Sequence, residues 1–148
     1  MSLNNVFDIA GSGMNAQSIR INTTASNIAN AESASSSIDE TYRARKPWFS
    51  VMEKTFMEVN ANNQFETVEN GIGAGVQVDG IVEKDAPLKA RFQPDHPMAN
   101  EDGYVYYPNV NIVEEMTDMM SSSRSYQMNV EVLKTAKQMM QRTLTLGQ

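Results

Sequence analysis

A periodic apolar stripe in the last quarter of the chain constrains its fold more than any other feature. Ile112, Met116, Met119, Ser123, Tyr126, Val130, Leu133, Lys137, Met140 and Leu144 follow one another at steps of four and three. That spacing keeps side chains on one stripe of a helix packed against another helix. Only Ser123 and Lys137 interrupt the apolar and aromatic series. Asn111, with Glu114 three residues on, is a start signal related to the Ser/Thr capping box. Glu114, Glu115 and Asp118 near the start, and Lys134, Lys137 and Arg142 toward the end, suit the helix dipole. Gly147 falls where a left-handed C-cap is wanted. Such a helix, reaching Leu146, spans ~52 Å at ~1.5 Å per residue, and it needs a partner.

The partner lies at the other end of the sequence. Leu3, Phe7, Ala10, Met14, Gln17, Ile21, Thr24 and Ile28 form a second alternating seam, with Ser2 as its expected N-cap. Only Asp8 and Arg20 carry charge in this stretch; its polar positions are Asn, Ser, Thr and Gln. A solvent-facing helix normally carries Lys and Glu on its outer face. A face built instead of Asn4, Asn5, Asn15, Ser18, Asn22, Ser26 and Asn27 is expected to be packed on all sides. Ala10, Gly11, Gly13 and Ala16 permit close backbone approach, at some cost in helix propensity. Two such helices alone bury little apolar surface against the entropy of ordering them, so further copies or homologues are expected to complete the packing.

Composition narrows the function. The 148 residues suit one compact piece with extended arms. Twelve basic against eighteen acidic residues give a net charge of −6, which argues against binding nucleic acid through its phosphates. With no cysteine there is no thiolate metal site, thiol nucleophile or disulfide. No apolar run is long enough to span a bilayer, and residues 1–17 carry no Sec-type signal pattern.

Between the helices the pattern changes. Residues 31–40, rich in serine, read as a linker. Arg43, Arg45 and Lys46 form a basic cluster, either a contact with acidic neighbours or a solvated face, and Pro47-Trp48-Phe49 follows as an extended segment. Residues 54–63 have no clear period. Residues 65–85 have β character, with Asn70-Gly71 as a hairpin-turn dipeptide and one strand continuing through Gly80 to Val82. Pro87, Pro94 and Pro97 predict an extended loop, and Tyr104-Val105-Tyr106-Tyr107 a short strand stopped by Pro108.

Sites of chemistry are not evident. His96, the only histidine, has no nucleophile of suitable type and spacing beside it. Asp95, Glu101 and Asp102 lack the alternating ligand spacing of a calcium loop. Gly71, Gly73 and Gly75 lack the spacing and following helix of a dinucleotide site. Tyr104, Tyr106 and Tyr107 read as a packed aromatic strand rather than a base-stacking platform, given the acidic balance. The expectation is no catalytic residue, no cofactor and no metal.

The order of residues at the two ends carries a resemblance. Ser12-Gly13-Met14-Asn15-Ala16-Gln17-Ser18-Ile19-Arg20 with Asn22, then Ala25-Ser26-Asn27-Ile28-Ala29-Asn30, resembles the N-terminal signature of the bacterial flagellar rod and hook proteins. Tyr104-Val105-Tyr106-Tyr107-Pro108-Asn109-Val110, Ser123-Arg124-Ser125-Tyr126-Gln127 and Thr143-Leu144-Thr145-Leu146-Gly147-Gln148 narrow the match toward the rod. About half the chain is covered; residues 33–65 match no pattern of the family.

The resemblance implies an α+β fold with long N- and C-terminal helices paired as an antiparallel coiled coil around a small β-rich, irregular central region. The expected segments are residues 1–31 (axial helix), 32–64 (linker and irregular insertion), 65–110 (β-rich region) and 111–148 (axial helix). It implies a structural subunit of the proximal rod that polymerises helically in the periplasm, transmits torque and encloses the export channel. Export would proceed without a cleaved signal. Implied partners are copies of itself, other rod proteins and the basal-body adaptor at the export gate. The assembly interface is expected at Phe7, Ala10, Gly13, Met14, Gln17, Ile21, Thr24, Asn27, Ile28 and Asn30, together with Met116, Met119, Ser123, Tyr126, Val130, Leu133, Met140 and Leu144. Asn22 and Asn27 are expected to suit a channel wall. Another axial subunit, or a rod-associated assembly enzyme, is the alternative.

Overall fold

The computed structural model describes residues 3–59 and 65–146, with side chains over 5–52 and 74–145. Two helices, α1 (Leu3–Asn30) and α2 (Ile112–Leu146), bracket four strands in sequence: β1 (Arg45–Val59), β2 (Phe65–Glu83), β3 (Lys89–Phe92) and β4 (Tyr104–Tyr107). The fold is α+β, as the sequence predicts. The expected caps at Ser2 and Gly147 lie outside the described residues. At the start of α2, Val113 N donates to Asn111 Oδ1 at 3.2 Å. Glu114 does not complete a capping box; its carboxylate accepts from Lys46 instead, at 3.4 Å.

The strands form two two-stranded sheets, β1–β2 and β3–β4. Lys84 N donates to Ala44 O at 2.7 Å, while Ser50, further along β1, reaches back to Asp79 at 2.8 Å, so β1 and β2 run antiparallel. Residues 45–59, expected within an irregular insertion, are therefore a strand. Pro47 is tolerated because a two-stranded ribbon leaves one edge of each strand without a ladder. The expected turn at Asn70-Gly71 is overturned: both residues lie inside β2. A turn dipeptide is only a local preference, and pairing with a fifteen-residue partner strand overrides it. Gly80 lies inside the same strand, as expected. In the loop expected around Pro87 and Pro94, the residues between the prolines pair with β4, Lys89 opposite Tyr107 and Phe92 opposite Tyr104.

The chain divides into two compact units. In the first (Met1–Gln17, Phe49–Asp79 and Ser125–Gln148), Gly13 of α1 comes close to Asn129 of α2: a Cβ at Gly13 would stand 2.9 Å from Asn129 Nδ2. Seven residues earlier, Val6 shares a groove with Val132, Thr135, Ala136 and Met139, so the helices run antiparallel there. Strand β2 also approaches α1: Val76 N donates to Ser12 Oγ at 3.1 Å, and a Cβ at Gly75 would collide with that oxygen. Among the described residues, the buried apolar side chains of this unit are Ala10, Ala16 and Ala136.

In the second unit (Ser18–Trp48 and Gly80–Arg124), Ala44, Val105, Pro108 and Val110 are buried. Asn27 near the end of α1 bonds to Glu115 near the start of α2, the same antiparallel sense. The serine linker is anchored rather than free: Ser35 and Tyr106 exchange both backbone hydrogen bonds, at 3.0 and 2.9 Å.

Candidate functional site: a buried junction and an uncovered helix face

Two features stand out among the residues singled out by the sequence. One is a buried junction at Asn27, which is 0% exposed. Its Nδ2 donates to Arg45 O at 2.8 Å and to Glu115 Oε2 at 3.0 Å. Its Oδ1 accepts from Arg45 N and from the Tyr42 hydroxyl, both at 2.9 Å. Those are all four hydrogen bonds a neutral amide can make. Asn27 thus copies half of a strand pairing with Arg45 while holding the buried carboxylate of Glu115, and it ties α1, β1 and α2 together. Tyr42 also lies under the Arg45 guanidinium, 5.3 Å from ring centroid to Cζ.

Around the junction the basic cluster meets acids at every position. Arg43 pairs with Asp85 at 3.5 Å, Arg45 with Glu83 at 3.1 Å, and Lys46 with Glu114 and Asp118 at 3.4 and 3.5 Å. Of the two readings of that cluster, the contact with acidic neighbours is the one the structure shows. Partial burial works against the Lys46 charge, but Asp118, then Glu114 and Glu115, outweigh it and raise the ammonium above its ordinary value. Asn109 closes the far side: Ala44 N donates to its Oδ1 at 2.8 Å, and its Nδ2 donates to Lys84 O and Ala86 O.

The other feature is an asymmetry between the helices. On α1, Ala10, Thr24 and Asn27 are buried within the chain, and Phe7, Gly13, Met14, Gln17, Ile21, Ile28 and Asn30 are half-buried. Asn27 is therefore covered within the chain, whereas Asn22 is exposed. On α2, Met119, Ser123, Leu133 and Met140 are half-buried, but Met116, Tyr126, Val130 and Leu144 are exposed. Met128, Val132 and Met139, outside that seam on another side of the helix, are exposed as well. With Val6, Glu131, Thr135 and Ala136 these three line an apolar groove. Gln17 Oε1 is buried with no hydrogen-bond partner among the described residues.

Sequence reasoning missed Tyr42, Glu115 and Asn109. The uncharged face of α1 was the signal for buried amides, but nothing in the spacing of Tyr42 or Glu115 marks them as the partners of Asn27. No group of residues suited to hold a metal ion occurs among the described residues, and no described helix is long and apolar enough to cross a membrane.

In each unit the two terminal helices meet antiparallel, the pairing that the resemblance to flagellar rod proteins implies, and comparison with known proteins places the chain in that class. Residues 7–32 match the family model for flagella basal body rod protein, and residues 101–146 that for flagellar basal body rod FlgEFG protein C-terminal. Those segments carry Asn27 and Glu115. The chain is 45% identical to flagellar basal-body rod protein FlgC of Salmonella typhimurium and 47% identical to that of Escherichia coli O157:H7, over the whole of both chains in each case. It is 34% identical to FlgC of Borreliella burgdorferi, over all of this chain and 99% of that one. The chain belongs to the FlgC family of flagellar basal-body rod proteins. The alignments run through residues 33–65, which the motif comparison left unmatched.

Proposed function

We propose that this chain is a structural subunit of the flagellar basal-body rod, with no catalytic role, and that it assembles by burying the uncovered face of α2 against neighbouring subunits. Family membership supports the rod role. The observation that carries the assembly reading is the exposure of Met128, Val132 and Met139 on one side of α2, where they line an apolar groove of the kind that marks interaction sites. Methionines adapt to imperfect helix contacts, which suits a surface meeting more than one kind of neighbour. The half-buried seam residues of both helices, Phe7, Met14, Ile21, Leu133 and Met140 among them, would complete the same contact from the inner side. Partners are then further copies, other rod proteins and the adaptor at the export gate. Helical stacking of such subunits would transmit torque along the rod and enclose an export channel, with Asn22 a better candidate than Asn27 for its wall. Because α1 supplies half of the helix pair from Leu3 onward, export is proposed to leave that segment uncleaved.

The test is a chain with Val132→Lys and Met139→Lys, which puts two ammonium groups on an apolar contact. Both positions are exposed, so the isolated variant should keep wild-type helix content while disappearing from purified basal bodies. Normal incorporation would overturn the α2-face reading. Recovery of a peptide covering residues 3–20 from basal bodies checks the export proposal.

A further inference from the structure

The β3–β4 sheet has one satisfied edge and one open edge. On β4, Tyr106 exchanges both backbone bonds with Ser35. Tyr104 donates its N–H to Asn100 Oδ1 at 2.8 Å, and its carbonyl accepts from Asn100 N at 3.0 Å. The outward backbone groups of β4 are therefore used. Across the sheet, Ala90 stands opposite Tyr106 and Phe92 opposite Tyr104. In an antiparallel pair, residues opposite each other either bond to each other or both turn away. Ala90 and Phe92 thus present their N–H and C=O groups to the open side. The bond from Gln93 N to Gly103 O, at 2.9 Å, fixes the same phase independently. Among the described residues, no backbone partner meets Ala90 or Phe92 on that edge.

Side chains along β3 sort by face. Lys89 and Arg91 line a cavity with Tyr107, Val110 and Asn111. Lys89 Nζ donates to Val110 O at 2.8 Å, and the Arg91 guanidinium lies 4.9 Å from the Tyr107 ring centre, so both cations are anchored over one face of the sheet. The other face is apolar. Leu88 lines a cavity with Ile38, Ala86, Pro87 and Tyr106, rimmed by the Arg43–Asp85 pair. Phe92, 65% exposed, packs edge-on to Tyr104 with ring centres 5.4 Å apart.

We propose that this open edge accepts an extended segment of a neighbouring rod subunit as an added strand, one that alternates acidic residues toward Lys89 and Arg91 with apolar residues toward Leu88 and Phe92. The proposal rests on the rod-subunit reading above and names a second contact of that assembly. Strand addition takes its affinity from main-chain bonds and its specificity from pockets that receive alternate side chains, and both are present here. Pro87 and Pro94 bracket the edge, so the added strand is short. Shortness and positive charge are also the devices that keep a sheet edge from pairing indiscriminately. Against an acidic strand the same charges attract, so they select the partner instead of forbidding all partners. A subunit of net charge −6, like this one, has acids to offer.

Ala90→Pro removes only the outward donor, because the β3–β4 ladder uses Lys89, Arg91 and Gln93; proline is tolerated at such an edge position. Amide exchange of the peptide covering residues 88–93 is then compared between the isolated chain and purified basal bodies that contain it. The expected result is two further amides slowed about tenfold or more in basal bodies. Ala90→Pro should be lost from basal bodies while keeping wild-type circular dichroism in isolation. Arg91→Glu, which leaves the backbone ladder intact, should be lost in the same way. Equal exchange in the two samples, or normal incorporation and swimming with both variants, would overturn the proposal. Absence of the wild-type chain from basal bodies would refute the rod reading itself, and the strand-addition proposal with it.

Discussion

Asn27 joins three separate segments of this fold. It is a small polar side chain on a helix, yet it meets three segments with four hydrogen bonds and no solvent. Asn27→Leu keeps the number of side-chain heavy atoms and removes every bond, leaving the Glu115 carboxylate and the Arg45 N–H and C=O without this partner, while the Tyr42 hydroxyl keeps Ser26 Oγ at 3.3 Å. The expected loss is about 2–4 kcal/mol in urea unfolding, since stranded buried groups cost more than the bonds contributed. A loss below about 1 kcal/mol would show that water replaces the amide without difficulty. Lys46 sets a pH limit on the same junction. Its raised pKa means that the folded form holds the proton more tightly. The stability it contributes is complete below the ordinary lysine value of 10.5 and disappears as pH rises through the higher folded value. Lys46→Met should therefore flatten the alkaline limb of a stability–pH profile.

Elements were legible to different degrees. Both helices and β4 follow from periodicity and punctuation, because a long seam and a Tyr-rich run before proline each admit few alternatives. Strand β1 was hidden because residues 54–63 show no period of two, and β3 because prolines on both sides read as loop. These strands depend on partners remote in sequence, which local pattern does not reveal. The contact of β2 with α1 gives a prediction at this scale. Gly75 has φ of +148°, a region essentially reserved for glycine, and Ser12 occupies the space of any Cβ. Gly75→Ala should cost about 1–3 kcal/mol by thermal unfolding. Gly13→Ala should be close to neutral: the propensity gained in the helix, about 0.5–1 kcal/mol, offsets a small shift of the flexible Asn129 tip. A larger cost at Gly13 than at Gly75 would contradict this ordering.

For the whole molecule, the distribution of buried residues matters most. Among the described residues, the fully buried apolar side chains of the first unit are alanines, whereas the second combines Val105 and Val110 with the Asn27 junction. Regions with little apolar burial open first. Limited proteolysis of the isolated chain should therefore cut within residues 125–146 well before residues 80–124, and incorporation into basal bodies should remove that difference. Uniform resistance along the isolated chain would instead mark a fold that needs no assembly. The sequence by itself determined the two seams, the antiparallel helical ends and the family, because period, charge order and residue order are properties of the chain alone. Only the tertiary structure decided that Asn27 faces inward, that the basic cluster is paired, and that α2 rather than α1 keeps its apolar face uncovered. Each of those depends on which remote residues meet, and a one-dimensional pattern fixes the face a residue occupies without fixing what covers it.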